Sequence, residues 1–194
     1  MKFPLWASVV IGLSLFLVAC GQAQTPQERA LQSRAPDLKG GEGGVAANLE
    51  ITSTAFSDQG EIPAQYTCDG EDLNPPLSIR GLSGDTQSLV LIVDDPDAPA
   101  GVWNHWVVWN ISPTTLEIRE NDLPAGAVEG TNDFGNAAWG GPCPPPGLPH
   151  RYFFRVYALD MRLDLESGAS RDEVEKAMKD HILAQGQLIG RYGR

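Results

Sequence analysis

The chain is poor in positive charge, in histidine and in cysteine, and it lacks the commonest hydrolase signatures. Its 14 Lys and Arg face 25 Asp and Glu across 194 residues, a formal net charge of −11. Nucleic-acid backbones are held by clustered cations, so this balance excludes nucleic acid as a partner. It also offers no electrostatic attraction to an anionic membrane surface. Neither a G-x-S-x-G elbow nor an H-E-x-x-H pair occurs, which removes the usual serine-nucleophile and zinc-protease patterns. The apolar run from Leu5 to Val18 is too short and wrongly flanked for a stable membrane span.

What is present at the start reads as a secretory leader over residues 1–19. Lys2 is followed by that apolar run, and the segment closes in Leu17-Val18-Ala19-Cys20. This ending resembles the bacterial lipobox, in which the cysteine is lipidated and becomes the first mature residue. Cys20 is therefore the expected lipidation site, with an ordinary secretory signal as the alternative. Several acyl chains on one cysteine would hold the protein firmly to a bilayer. The expected location is extracytoplasmic and membrane-anchored. Gly21 after the cysteine, rather than Asp, points to the periplasmic side of the outer membrane in a Gram-negative host. Loss of Lys2 with the leader takes the formal charge from −11 to −12.

Residues 20–48 are low in aromatics and rich in Gln, Gly, Ala and Pro, the composition of a flexible tether. The folded domain is expected over residues 49–194. Of three cysteines, Cys20 is assigned to the anchor. Cys68 and Cys143 remain as an even pair in a disulfide-permissive compartment, where a bridge is expected and two reduced thiols are the alternative.

Within the domain, short apolar or alternating runs are separated by Gly, Pro, Asn and Asp. They lie at residues 51–56, 77–79, 89–93, 105–111 and 152–159, a pattern that predicts a mainly β domain. Period-2 phasing places Leu89, Leu91, Val93 and Asp95 on one strand face. It groups His105 with Val107, Trp109 and Ile111, and His150 with Tyr152, Phe154, Val156 and Ala158. One helix is predicted from the capping box Ser170–Glu173, with Val174, Ala177, Met178 and Ile182 at helical spacing and Gly186 ending it. Residues 124–149 hold too much Gly and Pro for regular structure, and a loop of that length in a compact domain is usually functional.

Polar residues set into these apolar runs carry the chemistry. Asp95 closes one strand within DDPDAP, His105 opens the next within WNHWVVWNI, and His150 opens a third within LPHRYFFRVYALD. Isolated carboxyls and imidazoles are costly to bury unless paired or used. Their recurrence at strand ends predicts the rim of one pocket, which can hold an anion or polarise a phosphate. Two histidines and an aspartate can also ligate Zn²⁺ with an open position, as hydrolases do. His181, on the predicted helix, reads as structural.

The segments DPDAP, WNHWVVWNI, GGPCPPPGLPHRYFFRVYALD and the terminal YGR resemble the bacterial Raf kinase inhibitor-like branch of the phosphatidylethanolamine-binding protein family. The resemblance covers residues 49–194 and rests on a D-P-D-x-P motif and a G-x-H-R-type motif. In the second, Pro149 precedes His150 and Gly147 lies further upstream. It implies a β-sandwich with one or two short helices and a small pocket for phosphate, acetate or a phosphoryl head group. Matched by motif, the ligand-binding set is Asp95, Pro99, His105, His150 and Tyr152, with Trp103 or Asp97 nearby. It implies no cofactor. The sequence to Arg194 lacks the extended C-terminal helix of eukaryotic relatives, so kinase inhibition depending on that helix is not expected. The reading is a non-catalytic binding protein for a small anion or phosphorylated ligand. A protein partner, for which Trp103, Trp106, Trp109 and Trp139 offer surface, and a homodimer both stay open. Acid–base hydrolysis by His105 or His150 is the weakest alternative.

Overall fold

The computed structural model describes residues 47–194. The leader, the lipobox and most of the tether lie outside the described residues. Ten strands, one helix and a single 3-10 turn make up the described chain: β1 (Ala47–Asn48), β2 (Glu50–Thr52), β3 (Gly60–Glu61), the turn Ala64–Tyr66, β4 (Leu77–Arg80), β5 (Ser88–Asp95), β6 (Trp103–Ile111), β7 (Glu117–Ile118), β8 (Val128–Glu129), β9 (His150–Leu159), α1 (Arg171–Met178) and β10 (Ile182–Tyr192). The mainly β class expected from sequence is observed. Ala47 and Asn48, read as tether, already pair in parallel with β10.

Two sheets form. Among the described residues the larger has seven strands in the order β1-β10-β9-β5-β6-β8, with β3 also pairing β10, and the smaller runs β2-β4-β7. Apolar side chains between them form the main core, including Ile51, Ile79, Leu89, Leu91, Val93, Trp106, Phe154 and Leu188. The other face of the larger sheet packs Val90, Ile92, Val107 and Trp109 against Leu163 and against Val174 and Met178 of α1. A sheet covered on both faces needs apolar residues at successive positions. That is why SLVLIVDD of β5 is buried throughout, whereas β9 alternates.

The phases expected for β5 and β9 are observed, but β6 departs from simple alternation. Val93 pairs with Trp106 while Asp94 pairs with Asn104, so β6 carries one extra residue there, His105. A second irregularity separates the Leu91–Val108 and Leu89–Ile111 pairs. It contains Asn110 at a left-handed φ of 58°. Bulges bend a strand and re-aim its side chains. Consequently Val107 and Trp109 face α1, whereas Trp106, Val108 and Ile111 face the main core. The grouping of His105 with Val107, Trp109 and Ile111 is corrected by these two bulges.

The helix is shorter than the sequence suggested. Ser170 Oγ accepts from the Glu173 amide and Glu173 closes the box, but α1 stops at Met178. Ile182 and Gly186 belong instead to β10, which pairs along nearly its whole length with β9. A Cβ at Gly186 would lie 2.2 Å from the Leu49 carbonyl oxygen, and one at Gly190 would lie 2.4 Å from the Ile62 side chain. Glycine thus fills two strand positions that a larger residue cannot, and it hides the alternation.

Candidate functional site

The strand ends of β5, β6 and β9 converge as the sequence phases require. Asp95 leaves β5 and turns the chain: its Oδ1 accepts from the Asp97 amide at 2.8 Å, an Asx-type turn that rigidifies DPDAP. Its Oδ2 lies 2.7 Å from His150 Nδ1. The two side chains are nearly dry, with 4% and 12% of their surface exposed. A short contact between imidazole and carboxyl fixes the tautomer, since Nδ1–H donates to Asp95 and Nε2 is left as the other ring nitrogen.

His105 is placed by the bulge and by the long loop. Its Nδ1 lies 2.6 Å from the Gly140 carbonyl oxygen, and the Gly140 amide returns a bond of 3.1 Å to the His105 carbonyl. A carbonyl can only accept, so Nδ1 carries the hydrogen and Nε2 again is free. Burial pushes the His105 imidazole below the usual histidine range, against the weaker upward pulls of the Gly140 carbonyl and Asp95. The ring is therefore neutral at pH 7. Tyr152 packs edge-on to His105 with centroids 5.2 Å apart. Its hydroxyl is buried without a partner, and burial, then the charge of Asp95, drives its ionisation well above the ordinary tyrosine range.

These groups border a cavity of about 240 Å³ lined by Asp95, His105, His150, Pro99, Trp103 and Phe134, with Ala98, Ala100 and Cys143–Pro145 completing the wall. Tyr152 sits behind His105 rather than in the lining. Asp97 turns away: its carboxylate is gripped by Arg151 through the backbone amide at 3.0 Å, Nε at 2.8 Å and Nη2 at 2.7 Å. Those donated bonds hold the Asp97 carboxyl below the usual carboxylate range. Cys68 and Cys143 form a disulfide, with Cα atoms 5.4 Å apart, and Cys143 belongs to the cavity wall. Trp106 and Trp109 are core residues, and Trp139 packs on the core. Of the four tryptophans considered as interface, Trp103 alone lines the cavity.

Sequence reasoning missed Phe134 and Asn132. Asn132 is buried and accepts from the Phe134 and Asn136 amides while donating to the Ala138 carbonyl at 2.8 Å and the His105 carbonyl at 3.4 Å. It folds the loop onto β6 and brings Phe134 over the cavity. The signal was available in TNDFGN, an Asn ahead of a Gly-containing turn. His181 pairs with Asp160 at 2.9 Å, away from this site. Among the described residues no group of three or more His, Cys, Asp or Glu side chains is arranged to hold a metal ion. Among the same residues no helix is long and apolar enough to cross a membrane.

The family model described as phosphatidylethanolamine-binding protein matches residues 52–193. The chain belongs to that family. A UPF0098 protein from Methanothermobacter thermautotrophicus is 52% identical over 151 residues, covering 75% of this chain and 99% of the relative. One from Aquifex aeolicus is 48% identical over 155 residues, covering 76% of this chain and 90% of its own length. Among solved structures, a phosphatidylethanolamine-binding protein homologue from Chlamydia trachomatis superposes with a TM-score of 0.72 at 40% identity, covering 76% of this chain and 98% of that one. YbcL of E. coli, described as a member of the mammalian family, gives a TM-score of 0.71 at 31% identity, covering 77% and 99%. The family resemblance drawn from the two motifs is thereby established, and the fold is the family's binding-protein fold.

Proposed function

We propose that the protein is a membrane-anchored, extracytoplasmic binding protein that holds a small anion or phosphoryl group in the cavity between Asp95, His105 and His150. The observation that carries this reading is the His150–Asp95 contact of 2.7 Å beside His105, at the edge of a cavity of about 240 Å³. That volume suits a phosphoryl group and a short stem, not a large metabolite. The reading is binding rather than turnover. A covalent mechanism needs a nucleophile next to a base, and the cavity-lining cysteine is held in a disulfide. The leader and Cys20 support the anchor.

The decisive experiment is calorimetry with phosphoethanolamine on wild type and His150→Ala. We expect the substitution to abolish measurable binding while the thermal transition moves little, because Asp95 keeps the Asp97 amide and itself borders the cavity, so its carboxyl is not sealed in the core. Unaltered binding would remove His150 from the site. For the anchor, Cys20→Ala should release the protein from membranes and end acyl-chain labelling; membrane retention without label would count against lipidation.

A second reading, an inhibitor or scaffold of an envelope protein, is favoured by apolar side chains on the loops that border the cavity. Val102, Phe134 and Leu148 are 54%, 45% and 86% exposed, and exposed apolar groups around a pocket are a common mark of an interface. A pull-down comparing wild type with a His105/His150 double variant separates the two. Loss of a specific protein supports the second reading, and loss of a copurifying small molecule alone supports the first.

A further inference from the structure

The cavity has an electrostatic peculiarity. Its lining holds one carboxyl group and two imidazoles but no lysine or arginine. The nearest guanidinium in sequence, Arg151, is spent on Asp97. Both imidazoles also spend their Nδ1–H, one on Gly140 and one on Asp95. With Nδ1–H committed in this way, each Nε2 of a neutral ring is a lone pair and accepts rather than donates. Phosphate and carboxylate oxygens are likewise acceptors. A fully ionised anion entering this site would meet two acceptors and the Asp95 carboxyl, with the Trp103 indole as a neutral donor only and no lysine or arginine in the lining to balance its charge. Burying charge without a partner is strongly unfavourable.

Resting on the anion-binding reading, we propose that the cavity takes up its anion together with one proton, shared between a ligand oxygen and an imidazole Nε2. The ligand class is then an acid that still carries, or can take back, a proton near neutrality: a phosphate monoester as its monoanion, or a carboxylic acid. The balance is simple. A monoester dianion plus one solvent proton gives the bound monoanion, and no bond other than O–H or N–H forms. Where the proton rests on the ligand, it donates to Nε2. Where it rests on the ring, Nε2–H donates to the ligand.

The groups facing the two rings do not change this conclusion. His105 meets Asp95, the deeper Asp94, Tyr152 and the Gly140 carbonyl. His150 meets Asp95, lies near Asp97, and stands opposite Tyr192 on β10, whose hydroxyl is spent on Asp69. Two guanidiniums lie close by, but both are matched: Arg151 pairs with Asp97, and Arg194, which reaches the Cys143 sulfur of the cavity wall at 3.7 Å, pairs with Asp69 at 3.1 Å. Asp94 is matched by Arg155 and Arg171, which leaves Asp95 as the carboxyl of that set with no guanidinium partner, and it favours an accompanying proton.

The probe is methyl phosphate, whose second ionisation lies at about pH 6. Binding is measured by calorimetry from pH 5.5 to 8.5 with a chelator present, at each pH in two buffers of different ionisation heat. We expect Kd to rise about tenfold per pH unit above pH 7, roughly 30-fold from pH 7 to 8.5, with uptake of about one proton per ligand at pH 8 read from the buffer difference. His105→Gln or His150→Gln, by supplying a permanent amide donor, should flatten that slope in at least one case. A Kd that stays constant from pH 6 to 8.5 with no buffer-dependent heat overturns proton-coupled uptake and leaves the anion site standing. No binding at any pH overturns both.

Discussion

Asp94 and Asp95 are neighbours in sequence, equally hidden from solvent, and they do opposite things. Period-2 alternation sends Asp94 to the α1 side of the large sheet and Asp95 to the main-core side. Asp94 is enclosed by arginines: Arg155 pairs with it directly, stacks on Phe153 at 4.6 Å, and Arg171 of α1 approaches to 3.3 Å. Burial nonetheless raises its pKa, the arginines pulling it back only in part, and one of its oxygens has no partner. Asp95 has no guanidinium. It is satisfied by a backbone amide and by His150 beside an open cavity. A carboxyl met by fixed positive charge ties elements together, whereas one met by a titratable ring beside free volume is available to a ligand.

The most disruptive way to break this comparison is on the Asp94 side. Arg155→Met should destabilise the protein by about 3 kcal/mol, because it strands a buried carboxyl, while phosphoethanolamine binding to the folded fraction stays near wild type. The sign with pH is fixed. Loss of Arg155 raises the folded pKa of Asp94 further, so the native state holds the proton more tightly than the unfolded chain. The deficit is then largest at neutral pH and shrinks as pH falls through that folded pKa. Denaturant melts at pH 7 and pH 4.5 check it; an equal deficit at both would mean that the carboxyl is not the cause.

A smaller effect, of the other kind, is expected from Asp95→Asn. The amide keeps the shape and still accepts from His150, but the bond loses its charge assistance. Binding should weaken about five- to tenfold, or roughly 1–1.4 kcal/mol, with little change in Tm. A large loss of stability with intact binding would reverse the roles assigned to the two aspartates.

Asp97→Asn should do least. Its pair with Arg151 is exposed, with side chains 30% and 49% accessible, and such pairs contribute about 0–1 kcal/mol. Its lowered pKa means that any stabilisation is present at neutral pH and fades as pH drops through the carboxylate range. A more than tenfold loss of ligand affinity would restore Asp97 to the binding set.

Much of this was legible in the sequence, and the gaps have physical causes. Asp95, His105 and His150 could be brought together because β5 and β9 alternate regularly and end in the residues that matter. The phase of β6 could not be read, since a bulge is set by pairing across the sheet and His105 looks locally like any strand residue. The strand β10 was hidden by Gly186 and Gly190, whose missing side chains answer to the Leu49 carbonyl and Ile62, both distant in the chain. Asp97 was placed in the site by its motif, but the motif does not say which way a carboxylate turns when Arg151 competes for it.

The pairing of β10 also sets a timescale. Ala184 stands opposite Ala47, and Gly190 opposite Gly60, so one strand joins partners separated by most of the domain while antiparallel β9 flanks it. Contacts of such long sequence separation demand closure of large loops before they repay it, and domains built on them fold in roughly milliseconds to seconds. Until β10 docks, β9 is an open edge carrying Phe154 on its core face and Phe153 on the opposite one. In cells, the hazard window for this protein is therefore the interval before that strand arrives, when the larger sheet still presents an unpaired edge.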